Sequence, residues 1–183
     1  MPMIIGIHGK ALSGKDTVGN ILYEKYGFTI MPFAGPLKRA AAAAFGEDPN
    51  LFQTQEGKAG TSNYWGISRR KMLQDFGEVM CKEFGDEFWI KRWFFDYAWL
   101  KDSDHIVVTD VRKEVEANFL RSLGGTIVHL TRTGSGLAGE EANHKTEQGI
   151  RAFGGDVALC NDGTLADLEA DVDALVARVL RAG

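Results

Sequence analysis

Short, continuous apolar runs separated by polar turns recur along the chain, a pattern typical of strands covered on both faces. The second run contains Pro32, so we expect that strand to lie at an edge of the sheet or to bend. These runs predict five strands, over residues 3–7, 29–34, 106–109, 126–130 and 156–160.

Between the runs, apolar residues recur every three or four positions, as they do on the buried face of a helix. The spacing predicts helices after the first, second, third and fifth strands, and two more within residues 68–100. Gly27 is a typical helix end, Ser68 and Thr164 are typical N-caps, and Pro36 suits a first helical turn.

Strands that alternate with helices indicate an α/β fold, with a mostly parallel sheet covered by helices on both faces. Such sheets bind ligands at the carboxyl ends of their strands. Two segments show neither period. We expect residues 46–67 to form a mobile surface insertion, and residues 131–155 to be either a functional lid or disordered.

Composition excludes several classes of function. The chain has 183 residues, which favours one domain, and its 25 acidic and 21 basic residues give a net charge of −4, which argues against a nucleic-acid partner. Apolar stretches such as residues 40–45 are too short to cross a bilayer, and the N-terminus has no basic leader. Cys81 and Cys160 form no CxxC motif, so neither a disulfide framework nor a thiolate metal site is indicated, and a reducing cytoplasm fits.

A phosphate-binding loop is predicted between the first strand and the first helix. Gly9 and Gly14 stand five positions apart, and Lys15 follows the second glycine directly. The glycines allow successive backbone N–H groups to surround an anion, the helix N-terminus adds its positive end, and Lys15 can reach the outer phosphates. The alternative, an ordinary glycine-rich turn, is the weaker interpretation because a strand and a helix flank the motif.

Asp16 stands where such loops usually carry a Ser or Thr that touches Mg²⁺, and the hydroxyl is displaced to Thr17. A bare carboxylate beside a triphosphate would repel it, whereas a carboxylate that binds Mg²⁺ directly or through water would not. The alternative is that Asp16 only favours the helix start electrostatically.

A second acidic residue follows the third predicted strand. Asp110 would lie at the carboxyl edge of the sheet, where it could organise Mg²⁺ or an acceptor. Arg112 and Glu116 are four positions apart and would share one face of the next helix. The alternative is an N-cap aspartate with an ordinary surface pair.

Two basic clusters fall at predicted helix starts. Lys38 and Arg39 form one, and residues 69–71 (RRK) form the other, with Gln74 one turn later. Because a guanidinium group matches phosphate oxygens in a bidentate manner, Arg70 is the better candidate for an acceptor phosphate. The alternative is a solvated basic face.

Aromatic and histidine residues add little by pattern alone. Tyr64 and Trp65 lie in the glycine-rich insertion and could face a ligand, whereas Trp89 is more typical of a core. The four histidines show no metal-ligand spacing, which predicts core or surface roles. No pair of nucleophile and base stands out, and phosphoryl transfer to another phosphate needs none.

Four segments together resemble the deoxynucleoside monophosphate kinases of bacteriophages, which are small relatives of the adenylate and dephospho-coenzyme A kinases. Further support comes from residues 125–132 and 161–164, and the similarity runs in order along most of the chain. The four segments are residues 13–17 (SGKDT), 33–38 (FAGPLK), 70–77 (RKMLQDFG) and 109–112 (TDVR) with Glu116.

The resemblance implies a P-loop NTPase three-layer sandwich built on a five-stranded parallel sheet. A single kinase domain would have its core in residues 1–45, 104–131 and 156–183, an acceptor-binding excursion over 46–103 and a lid over 132–155 that holds Lys145 and Arg151. The lid would close to exclude water.

The resemblance also implies residue roles, with ATP and Mg²⁺ as cofactors. Catalytic roles fall to Lys15, Arg70, Arg112 and Arg132. The donor nucleotide would contact Gly9, Ala11, Leu12, Ser13, Gly14, Lys15, Asp16, Thr17, Arg132, Asn161 and Gly163. The acceptor would contact Leu37, Lys38, Trp65, Arg70, Gln74, Trp89, Asp110, Arg112 and Glu116, and the metal Asp16, Thr17 and Asp110.

The function implied is transfer of the γ-phosphoryl group of ATP to a deoxynucleoside 5′-monophosphate. Small nucleotides would be the partners, with no nucleic acid and no membrane, in the host cytoplasm, and a homodimer is compatible with this function. Family members can carry a basic residue at the position of Ala11, where this chain has Lys10 nearby instead. Two alternatives stay open: a kinase of another small acceptor, such as dephospho-coenzyme A, and a non-catalytic nucleotide-binding regulatory module.

Overall fold

The structure, a computed structural model, describes residues 2–100, 104–136 and 149–182. Contacts divide the chain into unit 1, which is Met1–Pro32 with Leu100–Gly183, and unit 2, which is Phe33–Trp99. Along the chain the elements are β1 (Ile4–His8), α1 (Lys15–Tyr26), β2 (Thr29–Ile30), α2 (Ala34–Phe45), a 3-10 helix (Pro49–Phe52), α3 (Gln55–Ala59), α4 (Arg69–Phe84), α5 (Phe88–Tyr97), β3 (Ile106–Val111), α6 (Glu114–Ser122), β4 (Thr126–Thr131), β5 (Val157–Cys160) and α7 (Leu165–Ala182).

Unit 1 is built on a sheet of five strands in the order β2-β3-β1-β4-β5. Every neighbouring pair is parallel, and the central strand β1 pairs Ile5 with Val107 of β3 and Gly6 with Ile127 of β4. Consecutive parallel strands need crossover connections, and helices supply them. The predicted α/β fold with a five-stranded parallel sheet is confirmed.

Helices cover both faces of this sheet. Because side chains alternate along a strand, Ile5 and Ile7 point to one face of β1 and Gly6 to the other. A Cβ atom on Gly6 would lie 2.6 Å from Cδ1 of Leu120, so α6 covers the second face. The first face packs against apolar residues of α1 and α7, namely Val18, Ile21, Leu22, Leu168, Val172, Leu175 and Val176.

The second strand is shorter than predicted. It ends at Ile30, although the Met31 N–H still donates to the Val107 carbonyl oxygen at 2.8 Å. Pro32 has no N–H to continue the ladder, and α2 begins two residues later at Ala34. The strand lies at the edge of the sheet, as Pro32 indicates.

Unit 2 is helical, and residues 46–67 contain regular structure that the sequence pattern does not predict. The 3-10 helix and α3 lie within this segment. Phe52 anchors it, because its side chain is fully buried among Ala41, Ala42 and Met72. A single large aromatic residue gives no periodicity, which explains why the pattern fails here.

Helix ends follow the predicted signals. The Ser68 hydroxyl accepts a hydrogen bond from the Lys71 N–H at 3.2 Å, and the Thr164 hydroxyl accepts one from the Asp167 N–H at 3.3 Å. Gly27 takes the left-handed conformation, with φ of 69°, at the end of α1. These three signals are therefore confirmed.

The predicted lid falls partly outside the part of the chain that the structure describes. Residues 137–148, which include His144 and Lys145, lie outside the described residues. Of the helices that the structure describes, none has the length and apolar content to cross a membrane.

Candidate active site

The loop between β1 and α1 has the backbone geometry of an anion nest. Gly14 occupies the N-cap of α1 with φ of 100°, and no side chain caps the helix there. Leu12 has φ of 64° and is the one non-glycine residue with positive φ among those described. Leucine pays roughly 1–2 kcal/mol for this conformation, so the loop is held in a strained turn. The N–H groups of the first turn of α1 therefore stay available to an anion.

Two glycines of the loop are required by close contacts. A Cβ atom on Gly9 would overlap the Leu130 carbonyl oxygen and lie 2.7 Å from the Ser13 hydroxyl. A Cβ atom on Gly14 would overlap the side-chain amide nitrogen of Asn161. The two glycines thus allow β4 and the residue after β5 to approach the loop, which the sequence motif alone does not show.

Ser13 carries an unusual hydroxyl. Its side chain is fully buried, and its Oγ has no hydrogen-bond partner among the described residues. An unsatisfied buried polar group costs about 1–3 kcal/mol. This hydroxyl lies within the loop, 2.7 Å from the position that a Cβ atom on Gly9 would take.

Lys15 lies across the start of the loop. Its Nζ donates to the carbonyl oxygens of Gly9 at 2.8 Å and Lys10 at 2.7 Å. These bonds hold the ammonium group beside the nest. A phosphate bound in the nest would therefore meet both backbone N–H groups and a positive charge.

A cavity of about 510 Å³ opens beside this loop, within unit 1. Its size is that of a small-ligand site. Lys10 and Arg132 give it positive charge, and it lies where β1 and β4 end at their carboxyl termini. The lining residues are His8, Gly9, Lys10, His129, Leu130, Thr131, Arg132, Gly134, Ser135 and Gly149.

His8 and His129 line this cavity, a location that sequence spacing does not indicate. Their rings meet edge to face with centroids 5.6 Å apart. His8 Nδ1 lies 3.0 Å from the Val111 carbonyl oxygen, and His129 Nε2 lies 2.8 Å from the Asp156 carboxylate. No sequence signal indicates this location, because the pairing of His8 with His129 depends on the register between β1 and β4.

The predicted donor-side residues come together at the same edge. Asn161 donates its side-chain N–H to the Ser13 carbonyl oxygen at 2.9 Å and its backbone N–H to Thr131 at 2.8 Å. The Gly136 N–H donates to the Ala11 carbonyl oxygen at 2.9 Å. Asn161 is thus hydrogen-bonded both to Thr131, the last residue of β4, and to the phosphate-binding loop, and Arg132 follows Thr131 directly. Gly163 directly precedes Thr164, whose hydroxyl caps the start of α7.

Asp110, Arg112 and Glu116 are arranged differently from the prediction. Asp110 lies within β3 rather than after it, and Arg112 precedes α6. Glu116 accepts hydrogen bonds from the backbone N–H groups of Arg112 at 2.7 Å and Lys113 at 2.9 Å, as the carboxylate of a capping box does. The predicted shared helix face of Arg112 and Glu116 is therefore wrong, and so is the alternative of Asp110 as N-cap, because Lys113 holds that position.

Opposing effects act on the pKa of Glu116, and their net result is a rise. Burial raises the pKa of Glu116, the two backbone hydrogen bonds oppose the rise, and the charge of Asp110 adds to it. Two carboxylates therefore influence each other at the carboxyl end of β3. The Arg112 guanidinium, by contrast, forms no ion pair with any described residue.

In unit 2 the predicted acceptor-side residues lie on α2, α4 and α5, apart from Trp65, which lies between α3 and α4. Arg70 donates to the Gln55 side chain at 3.1 Å, whereas its neighbours are paired with carboxylates, Arg69 with Glu47 at 2.7 Å and Lys71 with Asp75 at 2.8 Å. Within the described residues of this basic cluster, Arg70 is thus the cation without a carboxylate partner. The alternative of a solvated basic face stays open, because the contact between Arg70 and Gln55 is exposed.

Other acceptor-side candidates make contacts within unit 2. Lys38 donates to Gln53 at 3.2 Å, and Gln74 is exposed on α4. The Trp89 indole donates to the Gly77 carbonyl oxygen at 3.3 Å, and a Cβ atom on Gly77 would lie 3.2 Å from Leu37.

The aromatic pair of the insertion is partly exposed. Trp65 donates its indole N–H to the Phe45 carbonyl oxygen at 2.9 Å, which holds the ring against α2 with 45% of the residue exposed. Tyr64 is 85% exposed and meets Trp65 edge to face. The predicted ligand-facing role stays a prediction.

Among residues 2–100, 104–136 and 149–182, no group of three or more His, Cys, Asp or Glu side chains could hold a metal ion by itself. Asp16 and Thr17 are exposed in the first turn of α1. Mg²⁺ commonly binds through one or two carboxylates with water and substrate phosphates. A metal there would thus depend on the bound nucleotide.

Comparison with known proteins finds deoxynucleotide monophosphate kinases among the similar sequences. A putative deoxynucleotide monophosphate kinase of Acanthamoeba polyphaga mimivirus is 29% identical over 184 residues, covering 93% of this chain and 94% of the relative. The deoxynucleotide monophosphate kinase of Enterobacteria phage T4 is 23% identical over 90% of this chain and 95% of its own. The deoxynucleotide monophosphate kinase of Escherichia phage RB69 is 31% identical over 61% of this chain and 45% of its own.

A solved structure supports the fold alone. The protein TT1252 from Thermus thermophilus superposes with a TM-score of 0.58 at 20% identity, over 97% of both chains.

The family model for deoxynucleotide monophosphate kinase matches residues 50–172, well over half of the sequence. The chain therefore belongs to the deoxynucleotide monophosphate kinase family.

Proposed function

We propose that this protein transfers the γ-phosphoryl group of ATP to the 5′-phosphate of a deoxynucleoside monophosphate, which yields the diphosphate and ADP. The observation that carries the proposal is the loop of residues 9–15, where Gly14 is in the left-handed conformation at the start of α1, no side chain caps that helix, and the Lys15 ammonium group lies beside the loop. Family membership supplies the acceptor class.

The donor side is assigned to unit 1. The buried Ser13 hydroxyl and the close approach of Gly9 and Gly14 fit a polyphosphate, so the N–H groups of the loop would bind its oxygens. Lys15 would exchange its two carbonyl partners for phosphate oxygens. Arg132, at the cavity wall, would lie against the donor nucleotide.

Mg²⁺ fits the same site through exposed oxygen ligands. Asp16 and Thr17 would hold it at the start of α1, and Asp110 would hold it from the end of β3. At this site Mg²⁺ would supply positive charge beside the phosphates. Asp16 thereby keeps a function beside an anion that would otherwise repel it.

The acceptor side is assigned to cations that have no carboxylate partner among the described residues. Arg70 and Arg112 would bind the acceptor phosphate, and Lys38 would support them. The acceptor-side contacts would be completed by Leu37, Trp65, Gln74, Trp89, Asp110 and Glu116.

The reaction then needs positioning and charge stabilisation rather than proton transfer. An oxygen of the acceptor phosphate forms the new bond to the γ-phosphorus, the bond to the bridging oxygen breaks, and ADP leaves with that electron pair. The attacking oxygen is already anionic, so no general base is required. Lys15, Arg70, Arg112 and Arg132 would stabilise the charge that spreads over the transferring group.

The two alternatives raised by the sequence are not favoured. A dephospho-coenzyme A kinase and a regulatory nucleotide-binding module both fit the loop. However, the matching family and the three relatives named above are kinases of deoxynucleotide monophosphates. Action in the host cytoplasm and assembly as a homodimer stay predictions, and light scattering of the purified chain tests the second.

The test is a coupled ADP-release assay across deoxy- and ribonucleoside monophosphates and dephospho-coenzyme A. We expect turnover that depends on a deoxynucleoside monophosphate and on Mg²⁺. Arg70→Ala should lower kcat/KM for the acceptor roughly a hundredfold and spare ATP binding. Lys71→Ala is the matched control, because Lys71 lies next to Arg70 on α4 and already pairs with Asp75. Absence of acceptor-stimulated ADP release by the wild type would overturn the proposal.

A further inference from the structure

Asp162 forms a two-point contact with Thr133. The Thr133 backbone N–H donates to Oδ1 of Asp162 at 2.6 Å, and its hydroxyl donates to Oδ2 at 2.7 Å. The two residues are 29 positions apart in the chain. Both carboxylate oxygens are used on one partner, so the contact fixes the backbone of Thr133 as well as its side chain.

The location of this contact gives it meaning. Thr133 directly follows Arg132, and Asp162 directly follows Asn161. Asn161 bonds to the Ser13 carbonyl oxygen in the phosphate-binding loop. Residues 131–133, from the end of β4 through Arg132 to Thr133, form a short stem. The dipeptide 161–162 connects the phosphate-binding loop, through Asn161, to this stem, through Asp162.

Core packing does not explain the contact. Asp162 and Thr133 are both exposed. The hydrogen bonds from Thr133 and from Cys160, together with the charge of Arg132, lower the pKa of Asp162, so its carboxylate is ionised at neutral pH. Without this contact the exposed carboxylate of Asp162 would interact with water. Its bonds to Thr133 constrain the residue next to Arg132, which lines the cavity.

We propose that Asp162 is a positioning residue that fixes Arg132 for binding the donor nucleotide. The proposal rests on the proposed function. Its physical basis is preorganisation, because a stem that is already ordered loses less conformational entropy when the nucleotide binds. Asp162 itself touches Thr133 and need not touch ATP.

The chain contains a matched control for this contact. Asp167 accepts hydrogen bonds from the same two donors of a threonine, the backbone N–H of Thr164 at 2.8 Å and its hydroxyl at 2.7 Å. It lies in the first turn of α7, and its pKa is lowered by the same kind of bonds, those from Thr164. The two aspartates differ in three ways: the Asp162 contact spans 29 positions rather than 3, Asp162 has a further hydrogen bond from Cys160, and it lies near the charge of Arg132. Of the two, it is Asp162 that holds the stem of Arg132.

The experiment compares Asp162→Ala with Asp167→Ala in the full chain. Measurements are the ATP dissociation constant by calorimetry, the KM for ATP and for the acceptor, kcat, and the thermal midpoint. We expect Asp162→Ala to weaken ATP binding about tenfold and leave the acceptor KM within twofold. Asp167→Ala should leave ATP binding within twofold, whatever its effect on the thermal midpoint.

A double-mutant cycle separates positioning from stability. In an Arg132→Ala background, Asp162→Ala should weaken ATP binding by less than twofold, because the group that it positions is gone. Asp162→Glu should restore part of the affinity. Equal effects in both backgrounds, or equal effects of the two aspartate variants on ATP binding, would refute the positioning role. If instead the wild type neither binds ATP nor turns it over, the proposed function itself fails.

Discussion

Arg121 on α6 and Asp156, directly before β5, form a largely buried ion pair with an Nη2 to Oδ2 distance of 2.7 Å. Arg121 Nε also donates to the same carboxylate at 3.2 Å, and the guanidinium lies 4.4 Å from the centre of the Phe153 ring. His129 and the Phe153 N–H complete the hydrogen bonding of Asp156. The segment that enters β5 is thereby anchored to α6.

This anchor predicts a pH dependence of stability. Burial acts to raise the pKa of Asp156, but the hydrogen bonds from Arg121 and His129 outweigh it and lower the pKa to about 2. A depressed folded-state pKa stabilises the protein above the unfolded value of 3.8, and the contribution is lost as the pH falls towards 2. Between pH 5 and pH 2 the wild type should lose roughly 2 kcal/mol more than Asp156→Asn. Urea unfolding at several pH values measures this, and parallel profiles of the two proteins would contradict the prediction.

The geometry of the Arg121 side chain predicts that lysine cannot replace it. A guanidinium group places two N–H groups on Asp156 while a third donates to the Arg151 carbonyl oxygen at 3.2 Å, and an ammonium group has no such planar fork. Arg121→Lys should therefore lower the free energy of unfolding by about 1–3 kcal/mol. Arg178→Lys on the exposed part of α7 is the control, with an expected change within about 0.5 kcal/mol. Equal unfolding free energies for the two variants would show that the charge alone matters.

Ser13 predicts a conflict between stability and ligand binding. Ser13→Ala removes a buried hydroxyl that has no partner among the described residues, so the ligand-free protein should gain about 1 kcal/mol. Affinity for ATP should fall several-fold, since the variant loses a group that a phosphate would satisfy. Thermal unfolding with and without ATP measures both effects.

Ser62 is the control for that substitution. Its hydroxyl is also buried but accepts hydrogen bonds from the N–H groups of Tyr64 at 3.3 Å and Trp65 at 3.2 Å. Ser62→Ala should destabilise the protein by about 1 kcal/mol. A loss of stability in both variants would mean that the Ser13 hydroxyl is satisfied in solution.

Gly14 and Gly27 predict different costs for the same substitution. Both have positive φ, but a Cβ atom on Gly27 would meet nothing within 4 Å, whereas one on Gly14 would overlap Asn161. Gly27→Ala should cost about 1 kcal/mol of strain. Gly14→Ala should cost about 2–4 kcal/mol and abolish ATP binding. Denaturant unfolding and calorimetric titration distinguish them, and wild-type affinity in Gly14→Ala would argue against the loop as the phosphate site.

The helices and strands of unit 1 were largely predictable, because apolar spacing and capping residues are local signals. The phosphate-binding loop was predictable for the same reason, since Gly9, Gly14 and Lys15 lie within a few consecutive residues. Residues 46–67 were not, because one buried aromatic residue, Phe52, orders a segment without periodicity. The prediction that Arg112 and Glu116 share a helix face was wrong, because Arg112 precedes α6 and contacts Glu116 through its backbone N–H.

The sequence by itself determined the strand and helix pattern, the phosphate-binding motif and the family, because these depend on neighbouring residues. Only the tertiary structure decided which distant groups meet. The bond from Thr133 to Asp162 joins residues 29 positions apart, and that from Arg121 to Asp156 joins residues 35 apart. Thr133 and Asp162 meet because the parallel strands β4 and β5 end at the same edge of the sheet, whereas Arg121 and Asp156 meet where α6 packs beside the residue before β5. No local pattern of polar residues encodes which of these groups will be in contact.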